Sequence, residues 1–229
     1  MVFVETEQQG RTGHALLVAT PNQRQKAMTE ITLFEFSPTR SARCLWTLKE
    51  AGLPYKTIGG AAEVIGSEQL LAVHPLGKLP AALINGRPLF ESAAISTAIA
   101  DLVPERELIA APGTWARALH DQWVSFTLTE MEAWLWSSEL NASELLPKEQ
   151  RVPEILAQNE AFFARSASVM DSALSESKYL VEDRFSVTDI IVGYTLYWAE
   201  EDKLLGEFKH LCAFLERLMT REHCPFERL

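Results

Sequence analysis

The chain has 229 residues, 47% hydrophobic and 23% charged, and its 21 Lys and Arg against 31 Asp and Glu give a formal charge of −10. That composition excludes a disordered, collagen-like or coiled-coil chain and allows a real core, in one large domain or two small ones. The acidic balance argues against a nucleic-acid partner and against docking on an anionic membrane.

Residues 1–29 read as a flexible N-terminal extension. They are polar, punctuated by Gly10, Gly13 and Pro21, and lack the basic start and long apolar core of a secretory signal. No apolar run in the chain approaches the roughly 18 residues of a membrane span. Ile31 to Phe36 alternate as a strand does, and Ser37-Pro38 punctuates it. Ser41 to Ala51 reads as a helix ended by Gly52, with Ala42, Leu45, Trp46 and Leu48 at helical spacing. Tyr55 to Ile58 reads as a second strand and Glu68 to Val73 as a short helix. Leu79–Ile84 and Arg87–Phe90 read as a hairpin about Asn85-Gly86, a pair that tolerates the positive φ of a tight turn. Ser92 to Leu102 is helical.

Beyond Pro104 the pattern changes. From Trp115 to Met219 only helical periods recur, among them Trp115, Leu119, Trp123 and Phe126. The expected organisation is therefore a mixed domain over residues 30–104, a linker at Val103–Pro112 and an all-helical domain over 105–229. The whole charge excess falls in residues 105–229, which leaves the smaller domain neutral. Cys44, Cys212 and Cys224 are odd in number and widely spaced, and the five His show no metal-ligand spacing. The expectation is no disulfide framework, no metal site and a reducing, cytoplasmic setting.

Four segments carry a family likeness: Ser37-Pro38-Thr39-Arg40-Ser41-Ala42-Arg43, His74-Pro75-Leu76-Gly77-Lys78-Leu79-Pro80, Phe90-Glu91-Ser92-Ala93-Ala94-Ile95 and Phe185-Ser186-Val187-Thr188-Asp189-Ile190. In this order and spacing the chain resembles the cytosolic glutathione S-transferases of bacterial type, over about residues 30–225. The resemblance implies an α/β thioredoxin-like N-terminal domain followed by an all-α helical-bundle domain. It also implies glutathione as co-substrate without a metal, a small hydrophobic electrophile as second substrate, a homodimer, a cytoplasmic place and a role in detoxification.

The resemblance assigns residues as well. Pro80 would be a cis-proline that turns the Leu79 backbone outward to pair with the cysteinyl backbone of glutathione. Ser92 would hold the γ-glutamyl carboxylate at a helix N-terminus, where free N–H groups favour anions. Glu91 would meet the ammonium, and Lys78 would reach the tripeptide from beside the proline. On the residues alone, Pro80 is a trans proline at a strand start, Ser92 an N-cap and Lys78 an exposed lysine.

Thiol activation is the demanding step. Lowering a thiol pKa from about 8.5 by two units takes roughly 2.7 kcal/mol. One hydrogen bond to the anion supplies about 1.5–3 kcal/mol and a helix N-terminus about 0.3–1. A single hydroxyl is therefore sufficient. Pro38 stands where several classes of the family carry a catalytic serine, so the candidates are its neighbours Ser37 and Thr39. Ser37 equally suits an N-cap with Pro38 at the first helical position. Arg40 and Arg43 read as a solvated pair, and Cys44 as a small core residue rather than a mixed-disulfide thiol. Ser186 and Asp189 read as a capping box. Trp115, Trp123, Phe126, Trp134 and Trp136 read as core or dimer surface before a substrate lining. The rival functions are a glutathione-dependent isomerase or dehalogenase, and a non-catalytic dimeric interaction module on the same scaffold.

Overall fold

A computed structural model describes residues 29–37 and 39–227. The expected N-terminal extension lies almost wholly outside the described residues, as does Pro38. The small domain is built on a four-stranded sheet of order β2-β1-β3-β4, with β1 at Ile31–Glu35, β2 at Lys56–Gly59, β3 at Ala81–Ile84 and β4 at Arg87–Phe90. β1 is central because Ile31, Leu33 and Phe34 are all buried there. It pairs parallel with β2 and antiparallel with β3. Asn85 and Gly86 both take positive φ (52° and 73°) and close the β3–β4 hairpin, as the Asn-Gly pair requires. β3 starts at Ala81 rather than Leu79, since Pro80 has no N–H to give the ladder.

Helix α1 spans Ser41–Ala51 and ends at Gly52, which adopts the left-handed conformation (φ 61°). Ser37 does not cap it. The helix begins four residues later, where Thr39 Oγ1 accepts from the Ser41 N–H at 3.3 Å and Ser41 Oγ accepts from the Phe36 N–H at 3.3 Å. The Thr39 N–H, which a Ser37 cap would meet, donates instead to Phe36 O at 3.0 Å. A four-residue helix, α2 (Glu68–Leu71), and α3 (Ser92–Asp101) complete the domain.

In the helical half, α4 (Trp115–Phe126) runs through one π-helical segment, Thr127–Glu132, into α5 (Ala133–Ala142). Then come α6 (Leu156–Ala173), α7 (Val187–Glu201) and α8 (Lys209–Met219). α7 is buried from Val187 to Leu196, and its start carries the expected capping box of Ser186 and Asp189. Asp189 Oδ2 accepts from the Ser186 N–H at 2.7 Å and Oδ1 from the Leu180 N–H at 3.1 Å.

The two halves share their cores. Val187 and Ile191 of α7 pack among Leu33, Leu48 and Ile95 of the small domain, while Trp46 of α1 packs into the helical core. The linker is itself packed: Val103, Leu108 and Ile109 are buried, and Leu108 O accepts from the Val187 N–H at 2.8 Å. The aromatic stripe of α4 divides: Trp123 and Phe126 are half-buried and pack against the helical core, while Trp115 points to solvent. Trp115 is 78% exposed, and the buried helix positions are instead Ala116 and His120, followed by Thr127. Among the described residues no helix is long and apolar enough to cross a membrane.

Candidate active site

Strand register gathers the candidate residues at one end of the sheet. Ala81 pairs with Phe34 on one side and Phe90 on the other. Pro80 therefore lies level with the end of β1 and the end of β4, beside Glu35 and Glu91. Ser37 follows two residues after Glu35, and Ser92 follows Glu91. The sheet end thus brings together the chain leading into α1, the Lys78–Pro80 segment and the start of α3.

The middle segment is fixed by its own turn. His74 Nδ1 accepts from the Leu76 N–H at 3.1 Å, and the His74 ring lies 4.8 Å from the Phe90 ring. Gly77 has φ +58°, and a Cβ there would come within 3.0 Å of the Gly66 Cα, so glycine is required. The Leu79–Pro80 bond is cis, as the resemblance implies. Leu79 stands outside the ladder, Pro80 is buried and Lys78 is exposed.

Glu91 precedes α3 at φ 73°, ψ 115° and is exposed. A non-glycine residue at such a φ needs support from its surroundings, a feature of ligand clamps. Ser92 opens the helix and is buried, and its Oγ lies 3.2 Å from Arg43 Nη1. A guanidinium can only donate, so the Ser92 hydroxyl accepts from Arg43 and keeps its own proton for another acceptor.

Ser37 is exposed, and Thr39 is half-buried with its hydroxyl engaged. Thr39 Oγ1 donates to Phe36 O, lies 2.9 Å from Ser41 Oγ and accepts from the Ser41 N–H. One hydroxyl carries one proton, so Thr39 has none left for a thiolate while this arrangement holds.

Arg40 and Arg43 are not a solvated pair. Arg43 is fully buried. Its Nε donates to Ile191 O at 3.0 Å, its Nη2 to Thr195 Oγ1 at 2.7 Å and to Glu132, and its Cζ lies 4.8 Å from the Tyr194 ring centroid. Thr195 in turn donates to Glu132 Oε2 at 2.7 Å. Arg40 Nε reaches Glu132 Oε1 at 2.5 Å. Burial alone would raise the Glu132 pKa, but Arg43 and Arg40 outweigh it and bring it down to about 2. Glu132 ends the π-helical segment, a local widening common at functional sites.

Sequence reasoning missed Glu132, Thr195 and Trp198, and it named Trp136 only among the aromatic residues read as core or dimer surface before a substrate lining; all lie far along the chain from α1. One signal was present: Arg43 lies on the same helical face as Trp46 and Thr47, three and four residues on, and both are buried. Cys44 is the core residue expected. It is fully buried, and burial pushes its thiol up to about 12. It is no thiolate at neutral pH, and no small disulfide partner reaches it in the folded chain.

Comparison with known proteins agrees with this geometry. Residues 29–101 match the glutathione S-transferase N-terminal domain and residues 118–222 the C-terminal domain. The chain is 28% identical over 180 residues to glutathione S-transferase GstA of Escherichia coli O157:H7, covering 76% of this chain and 86% of that protein. A glutathione transferase from Methylococcus capsulatus superposes with a TM-score of 0.73 at 26% identity, covering 85% of this chain and 95% of that one. A theta class glutathione S-transferase from Xanthomonas axonopodis pv. citri, solved with glutathione bound, gives 0.70 at 25% identity over 85% of this chain and 94% of that one. The chain belongs to the glutathione S-transferase family of enzymes.

Proposed function

We propose that the protein binds glutathione at the sheet end and joins its thiolate to a small electrophile. The observation that carries this reading is the register that sets Ser37, the Lys78–Pro80 segment and Glu91-Ser92 side by side. The Leu79 N–H and C=O, outside the ladder, pair with the cysteinyl backbone as an added strand does. The Ser92 hydroxyl and the first N–H groups of α3 hold the γ-glutamyl carboxylate, Glu91 its ammonium, and Lys78 a carboxylate of the tripeptide. Arg43 supports this by leaving the Ser92 proton available.

Ser37 then donates to the sulfur, since the Thr39 proton is committed to Phe36 O. Thr39 holds the turn that presents Ser37. With an activated aryl chloride, the thiol proton passes to solvent, the C–S bond forms, the C–Cl bond breaks and chloride leaves with the electron pair. Catalysis is electrostatic stabilisation of the thiolate together with proximity.

The active unit in this reading is a cytoplasmic homodimer with a detoxifying role. Support for the dimer comes from exposed apolar side chains on both halves: Leu71, Leu76 and Phe90 on the small domain, Phe162 and Val169 on the helical one. Retention on immobilised glutathione, followed by conjugation of 1-chloro-2,4-dinitrobenzene, tests the reading. Binding and turnover are expected. No binding at millimolar glutathione overturns it, and binding without turnover turns it toward the non-catalytic module.

A further inference from the structure

Arg40 stands at the junction of the halves, three residues beyond Ser37, in an unusual setting. Its Cζ lies 5.0 Å from the ring centroid of Trp136 on α5 and 5.1 Å from that of Trp198 on α7. The two indoles are 6.4 Å apart and inclined at 69°. Both are half-buried, and the Arg40 side chain is 28% exposed. Among the described residues, the protein oxygen that Arg40 meets is Glu132 Oε1, through Nε. The outer edge of its fork, the two Nη nitrogens, is left for another acceptor.

Charge at this point does not cancel. Glu132 carries one negative charge against the two positive charges of Arg40 and Arg43, and it stays ionised because both guanidiniums face it. Arg43 is sealed in the interior, so the surplus positive charge is presented by Arg40. Glu201 at the end of α7, Asp202 just beyond it and Glu139 on α5 lie one turn past the tryptophans, where they act on one another and Glu201 also acts on Tyr194. A guanidinium in the corner of two indoles that meet edge to face is suited to a flat ring that ends in a carboxylate: the free edge of the fork takes the anion and the exposed flank of the indole pair takes the ring.

We infer that Arg40, Trp136 and Trp198 form the subsite for the second substrate and select aromatic electrophiles that carry an acidic group. This rests on the reading that glutathione sulfur is held at Ser37. It narrows the expected apolar electrophile to one with an apolar ring and an anionic end. An anionic electrophile is otherwise repelled by a thiolate, so efficient use of one requires a cation near the sulfur, and Arg40, three residues beyond Ser37, is the cation this inference assigns.

The test compares 4-chloro-3,5-dinitrobenzoate with its methyl ester, each kcat/KM divided by the uncatalysed rate constant with glutathione. The intact protein is expected to favour the acid. In Arg40→Gln, the acid-to-ester ratio falls at least tenfold, and Arg40→Lys restores part of it. Retention on immobilised glutathione and the thermal unfolding midpoint are recorded for each variant, so that lost folding or lost glutathione binding is seen separately. If glutathione binds and the ester is turned over but the ratio is the same in all three proteins, the inference is overturned. If neither substrate reacts in the intact protein, the proposed transferase function itself fails. Trp136→Leu provides a second readout: its ratio is expected to move less than that of Arg40→Gln, while KM rises for both substrates. An unchanged KM for both contradicts the ring subsite.

Discussion

Arg43 Nη1 donates to Ser92 Oγ across 3.2 Å, linking α1 to the first residue of α3, 49 positions away in the chain. The same guanidinium reaches Glu132, Thr195 and the Ile191 carbonyl in the helical half. One buried cation therefore ties the proposed glutathione domain to its neighbour and orients a hydroxyl at the proposed ligand.

Arg43→Met leaves Glu132 with Arg40 as its remaining cation, and that pair is partly exposed. Breaking one side of a buried pair costs about 3–5 kcal/mol. The expected loss in urea unfolding is of that size. Arg43→Met combined with Glu132→Gln should recover part of it, because no buried charge then stands unopposed. A loss below about 1 kcal/mol in the single variant contradicts the account.

Ser37→Ala should lower turnover about 10–100-fold while glutathione is still retained, the range expected for one hydrogen bond to an anion. The pKa of the bound thiol, read from its ultraviolet thiolate absorbance, should rise. Thr39→Ala should act through stability, at about 1 kcal/mol, by removing the acceptor for the Ser41 N–H. If Thr39→Ala raises the thiol pKa and Ser37→Ala does not, the two roles are reversed.

Local features of both halves were legible in the sequence. Asn85-Gly86, Gly52 and the Ser186–Asp189 box use side chains and backbone freedoms that act within a few residues, so local reading suffices for them. The cis Leu79–Pro80 bond was legible through the family likeness alone, since nothing local marks it. The Arg43–Glu132–Thr195 cluster was not legible, because its members meet only after α1, the π-helical segment and α7 have packed. The Ser41 start of α1 was legible, but the alternative of Ser37 as its cap was not decided by sequence: Ser37, Thr39 and Ser41 can all cap, and only the turn geometry chooses among them.

Acid should unfold the protein in two overlapping stages. His120 is buried between Thr97 Oγ1 at 3.1 Å and Thr188 Oγ1 at 2.9 Å. Burial takes its pKa from 6.5 down to about 4, so the fold favours the neutral ring. As pH falls below 6.5 the unfolded chain takes up the proton first, and the stability held above 6.5 is lost by about pH 4. Glu132 acts in the window below, from 4.5 down to about 2, where the unfolded carboxylate protonates first. Each stage is worth at most about 3 kcal/mol. Asp189, raised by burial from 3.8 to about 6, acts in the opposite sense over the upper window, because there the fold holds a proton that the unfolded chain has lost. The His120 contribution to unfolding free energy measured against pH is therefore read as the difference between the intact protein and His120→Gln, and an identical slope from pH 6.5 to 4 in the two proteins contradicts the assignment.

Cys44→Ala should keep glutathione-dependent turnover within a few-fold and cost stability, as a core truncation does. Incubation of the native protein with oxidised glutathione should leave Cys44 unmodified by mass spectrometry. A mixed disulfide at Cys44 would mean that the fold opens at α1, contrary to its complete burial.

The proposed glutathione site at the sheet end is tested most directly by a ligand–residue cycle at Ser92. Calorimetric affinities are measured for glutathione and for its analogue lacking the γ-glutamyl α-carboxylate, on the intact protein and on Ser92→Ala. The account predicts that removing the carboxylate weakens binding at least tenfold on the intact protein and far less on Ser92→Ala, because hydroxyl and carboxylate act as one contact. Equal losses on both proteins, or no glutathione binding at millimolar concentration, would contradict it.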